Sequence, residues 1–273
     1  MNLLTNGLES MVNFEDLFGV ERPLIGMVHL APLPGSPLFK GDWDRTLEKA
    51  LADSSALAEG GMDGFIIENF NDVPYFPRRV PPVTVAAMTE AGRRLAQIKI
   101  PFGVNVLRND ARAALAVAYA TGAVFIRINV FVGARLTDQG LLEATAYEIQ
   151  RERKRHFPNL AIFADVGVKH SSPLGAATLA YEASDAASRG LADALIVSAA
   201  ETGSATSPND LKTVKKRVPS LPVLVGSGVT AENARALLSL ADGAIVGSGI
   251  KKGGRVQESI DVDRVRTLVE LSK

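Results

Sequence analysis

The sequence predicts a protein of the α/β class built as a single (β/α)8 barrel, and three observations support this fold. The chain has 273 residues, 47% of them hydrophobic, which suits the roughly 250 residues of such a barrel. Eight short apolar segments alternate along the chain with segments of helical periodicity. Prolines, and not a Gly-x-Gly-x-x-Gly motif, follow the first apolar segment. The count of eight therefore favours a closed barrel over an open, doubly wound dinucleotide-binding sheet.

The predicted strands are nearly continuous apolar runs, as expected for parallel strands that are covered on both faces. An apolar residue, Asp and then Gly or Ala lead into three of them, at Asp63, Asp193 and Asp242, and this weak internal repeat predicts tight turns into buried strands. The eight strands are predicted at Leu24–Leu30, Gly64–Ile67, Phe102–Leu107, Ala123–Asn129, Leu160–Asp165, Ala194–Ala199, Val223–Gly226 and Gly243–Gly247.

Amphipathic helices are predicted between the strands, because apolar residues recur there at helical spacing. One of these helices carries Ser207 as its N-cap and Pro208 in its first turn. The barrel is predicted to span residues 24–273 after an N-terminal extension, residues 1–23. The core-facing stripes are Met88, Ala91, Leu95 and Ile98; Leu211, Val214 and Val218; and Ala234, Leu237, Leu238 and Ala241.

Composition argues against several classes of function. Lys plus Arg and Asp plus Glu both number 30, so no net charge attracts nucleic acid. The absence of cysteine excludes disulfides, zinc–thiolate sites and cysteine nucleophiles. The N-terminus does not follow a signal-peptide pattern, and no apolar run reaches the roughly 18 residues that span a bilayer. We therefore expect a cytoplasmic protein without a nucleic-acid partner or membrane insertion; whether it is a homo-oligomer stays open.

Two glycine-serine segments end the last two predicted strands. They are Gly226-Ser227-Gly228 and Gly247-Ser248, and a helix is expected to start soon after each. Glycine lets the backbone approach an anion, while amide and hydroxyl groups donate hydrogen bonds to it. Barrels of this class often bind phosphate at these two strand ends. The pair therefore predicts a phosphate site, and two tight strand-helix turns without a ligand are the alternative.

Polar and charged residues follow the other strands, where barrel enzymes place their catalytic groups. Glu68 and Asp165 suit proton transfer or binding of a divalent metal, and a structural ion-pair network with Arg127 is the alternative. For Lys169, anion binding is favoured over imine formation or simple solvation. The catalytic candidates are His29, Glu68, Arg127, Asp165 and Lys169; the substrate-binding candidates are Asn105, Asn129, Ser198, Thr202 and Gly203.

Two long loops carry aromatic residues beside the predicted mouth of the barrel. Residues 31–43 include Phe39, and residues 69–82 include Tyr75 and Phe76. Such loops either cover an active site or form an oligomer contact, and both readings stay open.

Five segments of the chain form a recognisable pattern: Ile25–Pro37, Arg127–Phe131, Asp165–His170, Leu224–Thr230 and Asp242–Ser248. Together they resemble the BtpA/SgcQ family, and the resemblance runs from about residue 24 to the C-terminus. It implies a barrel related to the ribulose-phosphate-binding group and a family name tied to biogenesis of photosystem I in cyanobacteria. Family members such as SgcQ occur in non-photosynthetic bacteria beside genes of sugar transport and sugar metabolism, which suits a small phosphorylated substrate.

Three functions are open at this point. The favoured one is an enzyme that acts on a small phosphorylated metabolite, such as a sugar or nucleoside phosphate, by isomerase, lyase or hydrolase chemistry. The second is a non-enzymatic factor for biogenesis of a membrane protein complex. The third is a metal-dependent hydrolase that uses His29, Glu68 and Asp165.

Overall fold

A computed structural model describes residues 13–199 and 204–272 of the chain. Within these residues, eight parallel strands close into a barrel in which each strand pairs with its neighbours in sequence and the last pairs with the first. All eight predicted strands are confirmed, with ends that shift by one or two residues. They are β1 (Leu24–His29), β2 (Gly64–Glu68), β3 (Phe102–Asn105), β4 (Phe125–Ile128), β5 (Ala161–Val166), β6 (Ala194–Val197), β7 (Val223–Val225) and β8 (Gly243–Val246).

Helices cover the outside of the barrel, as the apolar stripes predict. Met88, Ala91 and Leu95 are buried on α2, and the hydroxyl of Ser207 accepts a hydrogen bond from the Asp210 amide at the start of α6. After a short N-terminal helix (Phe14–Phe18), the helices are α1 (Trp43–Gly60), α2 (Pro82–Leu95), α3 (Ala111–Thr121), α4 (Ala146–His156), α5 (Leu179–Ser188), α6 (Pro208–Arg217), α7 (Ala234–Leu238) and α8 (Val262–Ser272). None of them is long and apolar enough to cross a membrane.

The short N-terminal helix packs into the end of the barrel where the strands begin. The Phe14 ring lies 5.7 Å from that of Phe163, and Phe18 lies 5.7 Å from Phe125. All four rings are buried in one cluster inside the barrel. Part of the predicted extension therefore fills this end of the barrel, and the opposite end is left for a ligand.

A small antiparallel sheet stands outside the barrel and was not predicted. Residues 134–137 form its central strand, between residues 140–143 and 171–173. Arg135 fastens it to the segment after β5, because its Nε donates to the Ser171 hydroxyl at 2.7 Å and its Nη1 lies 2.9 Å from the Glu182 carboxylate. The sheet thereby holds the chain directly after Lys169 and His170.

The three repeated aspartates make the same contact. The carboxylates of Asp63, Asp193 and Asp242 accept hydrogen bonds of 2.7 Å from the backbone amides of Leu24, Ile162 and Val223, respectively. In return, each aspartate amide donates to the carbonyl of the same residue, at 2.8 to 3.0 Å. The tight turns are confirmed, and each one also joins the beginnings of two neighbouring strands.

We expect Asp193→Ala to lower the free energy of unfolding by about 1.5–3 kcal/mol. The substitution removes a charged acceptor, so the buried Ile162 amide is left without a hydrogen-bond partner. Arg153, which also contacts Asp193, loses its ion pair. Urea denaturation followed by circular dichroism measures the difference. The exposed Asp44 serves as control, and its Ala variant is expected to stay within about 0.5 kcal/mol of wild type. Equal stability of the two variants would contradict this account.

Candidate active site

A cavity of about 420 Å³ opens where the barrel strands end. All five catalytic candidates, His29, Glu68, Arg127, Asp165 and Lys169, line this cavity. Both glycine-serine segments and Asn129 line it as well. The fold thus gathers residues from β1, β2, β4, β5, β7 and β8 around one space.

The glycines at the ends of β7 and β8 leave different amounts of room. A Cβ atom on Gly226 would lie 2.3 Å from the Ser198 hydroxyl oxygen. Gly228 has a φ of +68°, and a Cβ there would lie 2.3 Å from the Cα of Ala205. At Gly247 the nearest side-chain atom would be Cε1 of His29, at 3.8 Å. The space between the end of β8 and His29 is therefore open to a ligand.

The helices after the two glycine-serine segments differ from the prediction. The helix after β7 begins only at Ala234, because Asn233 closes a turn by accepting from the Thr230 amide and donating to the Gly228 carbonyl. A single 3-10 turn, Ser248–Ile250, follows β8. The helix expected soon after Gly228 is present, but a turn over residues 231–233 delays its start. An anion at this edge can therefore contact backbone amides, which the glycines leave accessible, and one hydroxyl group.

The two serines of these segments have different surroundings. The Ser227 hydroxyl accepts from the Ala199 amide at 2.9 Å and lies 3.3 Å from the Thr206 hydroxyl. The Ser248 side chain makes no hydrogen bond to any residue that the structure describes. Ser227 thus contributes mainly to the protein's own packing, and Ser248 has the hydroxyl that is available to a ligand.

Arg127 and Asp165 form a buried ion pair in the wall of the cavity. Nε and Nη2 of Arg127 lie 3.0 to 3.2 Å from both carboxylate oxygens, and Asn129 donates to the same carboxylate at 2.6 Å. Burial alone would lower the pKa of Arg127, but Asp165 and Glu68 outweigh it and raise that pKa. Because its oxygens are occupied, Asp165 suits a structural role better than the predicted proton transfer or metal binding.

His29 and Glu68 face each other at the ends of β1 and β2. Nε2 of His29 lies 3.7 Å from Oε1 of Glu68, and the imidazole stacks on the Phe70 ring at 4.3 Å. Burial, with Lys251 and Lys169 nearby, holds the pKa of His29 well below its usual value, so the ring is neutral at pH 7. Burial also raises the pKa of Glu68, against the opposing effect of Arg127. Such a carboxyl group can both take up and return a proton.

Lys169 extends across the mouth of the cavity toward β7. Its Nζ donates to the Gly226 carbonyl at 3.1 Å, and its own carbonyl accepts from Arg108 at 2.6 Å. Burial, and next Arg127, lower the pKa of the Lys169 amine to about 8, although Asp165 and Glu68 oppose the shift. The side chain is thus a partly neutral amine beside the predicted phosphate site.

Several predicted ligand-binding residues do not reach the cavity. Asn105 donates instead to the Arg127 carbonyl at 2.9 Å and to Oδ1 of Asn129 at 3.2 Å. Ser198 lies behind Gly226, where its hydroxyl is buried and has no hydrogen-bond partner within residues 13–199 and 204–272. Both are corrected to supporting positions. Thr202 and Gly203 lie outside the described residues.

The predicted metal site finds no support in the part of the chain that the structure describes. In residues 13–199 and 204–272 no three His, Asp or Glu side chains come together as metal ligands. His29 and Glu68 are adjacent, but the third candidate, Asp165, is bound to Arg127 and Asn129.

Sequence reasoning missed Arg108, and it left open whether the loop after β2 covers the site. Arg108 lies three residues beyond the end of β3 and lines the cavity. The positional rule that selected Lys169 applies to Arg108 as well, because Arg108 directly follows the predicted end of this strand at Leu107. Phe70, Val73 and Tyr75 also line the cavity, and the Tyr75 hydroxyl donates to the Phe70 carbonyl at 2.5 Å. The loop therefore covers part of the mouth, while Phe76 remains half exposed.

Two relatives match nearly the whole chain. The photosystem I biogenesis protein BtpA of Synechocystis sp. is 44% identical over 254 residues, which cover 93% of this chain and 88% of that protein. An uncharacterized protein of Thermococcus kodakarensis is 46% identical over 253 residues, which cover 92% of this chain and 95% of that protein.

Similarity to solved structures supports the fold. An archaeal fructose 1,6-bisphosphate aldolase superposes with a TM-score of 0.56 at 15% identity and covers 95% of this chain and 97% of that one. At this identity the likeness shows the TIM-barrel fold alone. A model of the BtpA family matches residues 20–273, slightly beyond the start of the resemblance seen in the sequence. The chain belongs to the BtpA family.

Proposed function

We propose that the protein is an enzyme that binds a small phosphorylated metabolite and moves protons at the end of the molecule remote from the phosphate. The observation that carries this proposal is the single cavity lined both by the glycine-serine ends of β7 and β8 and by Glu68, His29 and Lys169. A pocket with convergent polar groups and shifted pKa values is typical of catalytic sites.

The phosphate is held, in this proposal, between Gly226–Gly228 and Gly247-Ser248. Glycine at these positions lets the backbone come close to an anion, and the free Ser248 hydroxyl donates to it. Lys169 and Arg108 add positive charge on the side of β5 and β3. The name of the structurally similar aldolase, whose substrate is a phosphorylated sugar, supports this choice of ligand.

Glu68 is the proposed proton-transfer residue. Its carboxyl group is buried in the cavity, its pKa is raised, and the neutral His29 lies at 3.7 Å. Contacts with the phosphate would hold the reacting bond of the substrate against this carboxyl group. Part of the binding energy is then used to orient the substrate for reaction. Arg127 and Asp165 form part of the cavity wall, and their ion pair provides a dipole of fixed orientation there.

A charge placed beside the phosphate site tests the proposal. We expect Ser248→Asp to weaken the binding of inorganic phosphate and of phosphorylated sugars by about 100-fold, because like charges meet in a partly closed cavity. Thermal shift screening identifies the compounds, and calorimetry measures their dissociation constants. Ser248→Asn is the matched control, since it has the same shape without the charge. Absence of stabilisation by every phosphorylated compound, or equal binding by the Asp and Asn variants, would overturn the proposal.

A biogenesis role is the second candidate, and it comes from the name of the Synechocystis relative. It predicts a stable protein partner whose binding survives Glu68→Gln and Ser248→Asp. Co-purification of that partner with both variants, together with intact biological activity, would favour this role over catalysis.

A further inference from the structure

Lys169 brings a primary amine into the cavity, beside the end of β7. We propose that this amine is a nucleophile and forms an imine with the carbonyl carbon of a phosphorylated aldehyde or ketone. The inference rests on the proposed function, since a bound phosphate has to place the carbonyl group within reach of Nζ. It narrows the substrate class from any phosphorylated metabolite to one that carries a carbonyl group.

Among the residues that the structure describes, no acidic side chain holds the Lys169 head in place. Its Nζ has a hydrogen bond to a neutral acceptor, the Gly226 carbonyl. Across residues 13–199 and 204–272, no carboxylate lies within ion-pair distance of it. Asp165 is occupied by Arg127 and Asn129, and Glu68 faces His29. A lysine with a structural role in a protein interior is usually paired, and this one is not paired within the described chain.

The surroundings favour the neutral amine, which is the nucleophilic form. With a pKa of about 8, Lys169 has about 10% neutral amine at pH 7, roughly 300-fold more than a lysine of ordinary pKa. Desolvation and a neighbouring cation are the two known ways of activating a lysine nucleophile, and Lys169 has both, since Arg127 is the next largest cause after burial.

The chemistry balances with the groups that are present. The Nζ lone pair attacks the carbonyl carbon, and the carbonyl oxygen takes up a proton while the nitrogen loses one, which gives a carbinolamine. The C–O bond then breaks, the hydroxyl group leaves as water with a second proton, and a protonated imine remains. Glu68 interacts electrostatically with Lys169 and, with its raised pKa, is suited to supply that proton and to recover it on hydrolysis. No oxidant or reductant is consumed.

Lys251 provides an internal control. Burial lowers its pKa to about 8 as well, and its Nζ donates to the Glu258 carbonyl at 3.2 Å. It is fully buried after β8 and does not line the cavity. If a low pKa were sufficient for reaction, Lys251 and Lys169 would react alike. If the amine also has to lie in the cavity, only Lys169 reacts.

Reductive trapping tests the inference. The full chain is incubated at pH 8 with dihydroxyacetone phosphate or glycolaldehyde phosphate and sodium cyanoborohydride, and the adduct is located by intact mass and peptide mapping. We expect one adduct, on Lys169, at least 10-fold above Lys251 and the surface lysines. Its rate of formation is expected to rise with pH through about 8. Lys169→Arg, which keeps a positive charge but has no primary amine, is expected to lose the adduct.

Glycerol 3-phosphate, which has the phosphate group but no carbonyl group, separates the two proposals. If it binds and Ser248→Asp abolishes that binding, but neither carbonyl compound labels Lys169, the imine is wrong while the phosphate site stands. If neither these compounds nor any phosphorylated compound of the thermal shift screen binds, the proposed function itself fails. Labelling spread evenly over Lys169, Lys251 and surface lysines would also overturn the imine.

Discussion

Arg127→Met is expected to lower the free energy of unfolding by about 3–5 kcal/mol. The substitution leaves the Asp165 carboxylate buried without its counter-charge, since the pair is almost fully shielded from solvent and is held by bonds to both carboxylate oxygens. Asn129 retains one hydrogen bond to Asp165, which is too little to replace a cation. Chemical denaturation at pH 7 followed by circular dichroism measures the loss.

Two variants separate the buried charge from the lost packing. The double variant Arg127→Met/Asp165→Asn removes both charges and is expected to recover most of the loss, because Asn has the volume of Asp and no charge is then buried without a counter-charge. Arg266→Met breaks an exposed pair with Glu59 and is expected to cost less than about 1 kcal/mol. If Arg127→Met costs no more than Arg266→Met, the pair contributes nothing to stability and the structural role assigned to it is wrong.

Glu68→Gln is expected to lower turnover by about 100- to 10,000-fold, the range typical of losing a general acid or base. The substrate for this test is the phosphorylated compound that gives the largest thermal shift, and turnover is followed by NMR. The affinity for inorganic phosphate is expected to be kept or increased, because a negative charge leaves the cavity. A loss of turnover without a loss of binding distinguishes proton transfer from a role in the phosphate site.

Stability provides an independent readout for the same variant. Because folding raises the pKa of Glu68, the folded protein binds more protons than the unfolded chain between the ordinary pKa of 4.5 and the raised pKa. The free energy of unfolding of the wild type therefore falls as pH rises between these two pKa values. In Glu68→Gln this decrease is absent, because Gln does not titrate. At pH 7 Glu68→Gln is thus expected to be at least as stable as wild type. Glu270→Gln, on an exposed helix face, is the control, and unchanged turnover in Glu68→Gln would contradict the proposed role.

The neighbourhood of the site could be predicted from the sequence, but the partners of each side chain could not. Parallel strands in a barrel all end at one face, so Glu68 and Lys169 had to lie near the same opening. The direction and partner of each group depend on residues far apart in the chain. Asp165 is a proton-transfer candidate by position, yet Arg127, 38 residues earlier, occupies its oxygens. Ser227 is a phosphate ligand by motif, yet its hydroxyl accepts from the Ala199 amide.

Local pattern by itself determined the eight strands, their order and the edge on which function lies, because strand burial and strand length are properties of short segments. It also determined the three aspartate turns, whose partners lie at the starts of neighbouring strands. Only the tertiary structure decided which of the polar groups at that edge are satisfied by protein and which remain free for a ligand. Hydrogen bonds and pKa values inside a protein depend on burial and on distant charges, and those are known only when the barrel has closed.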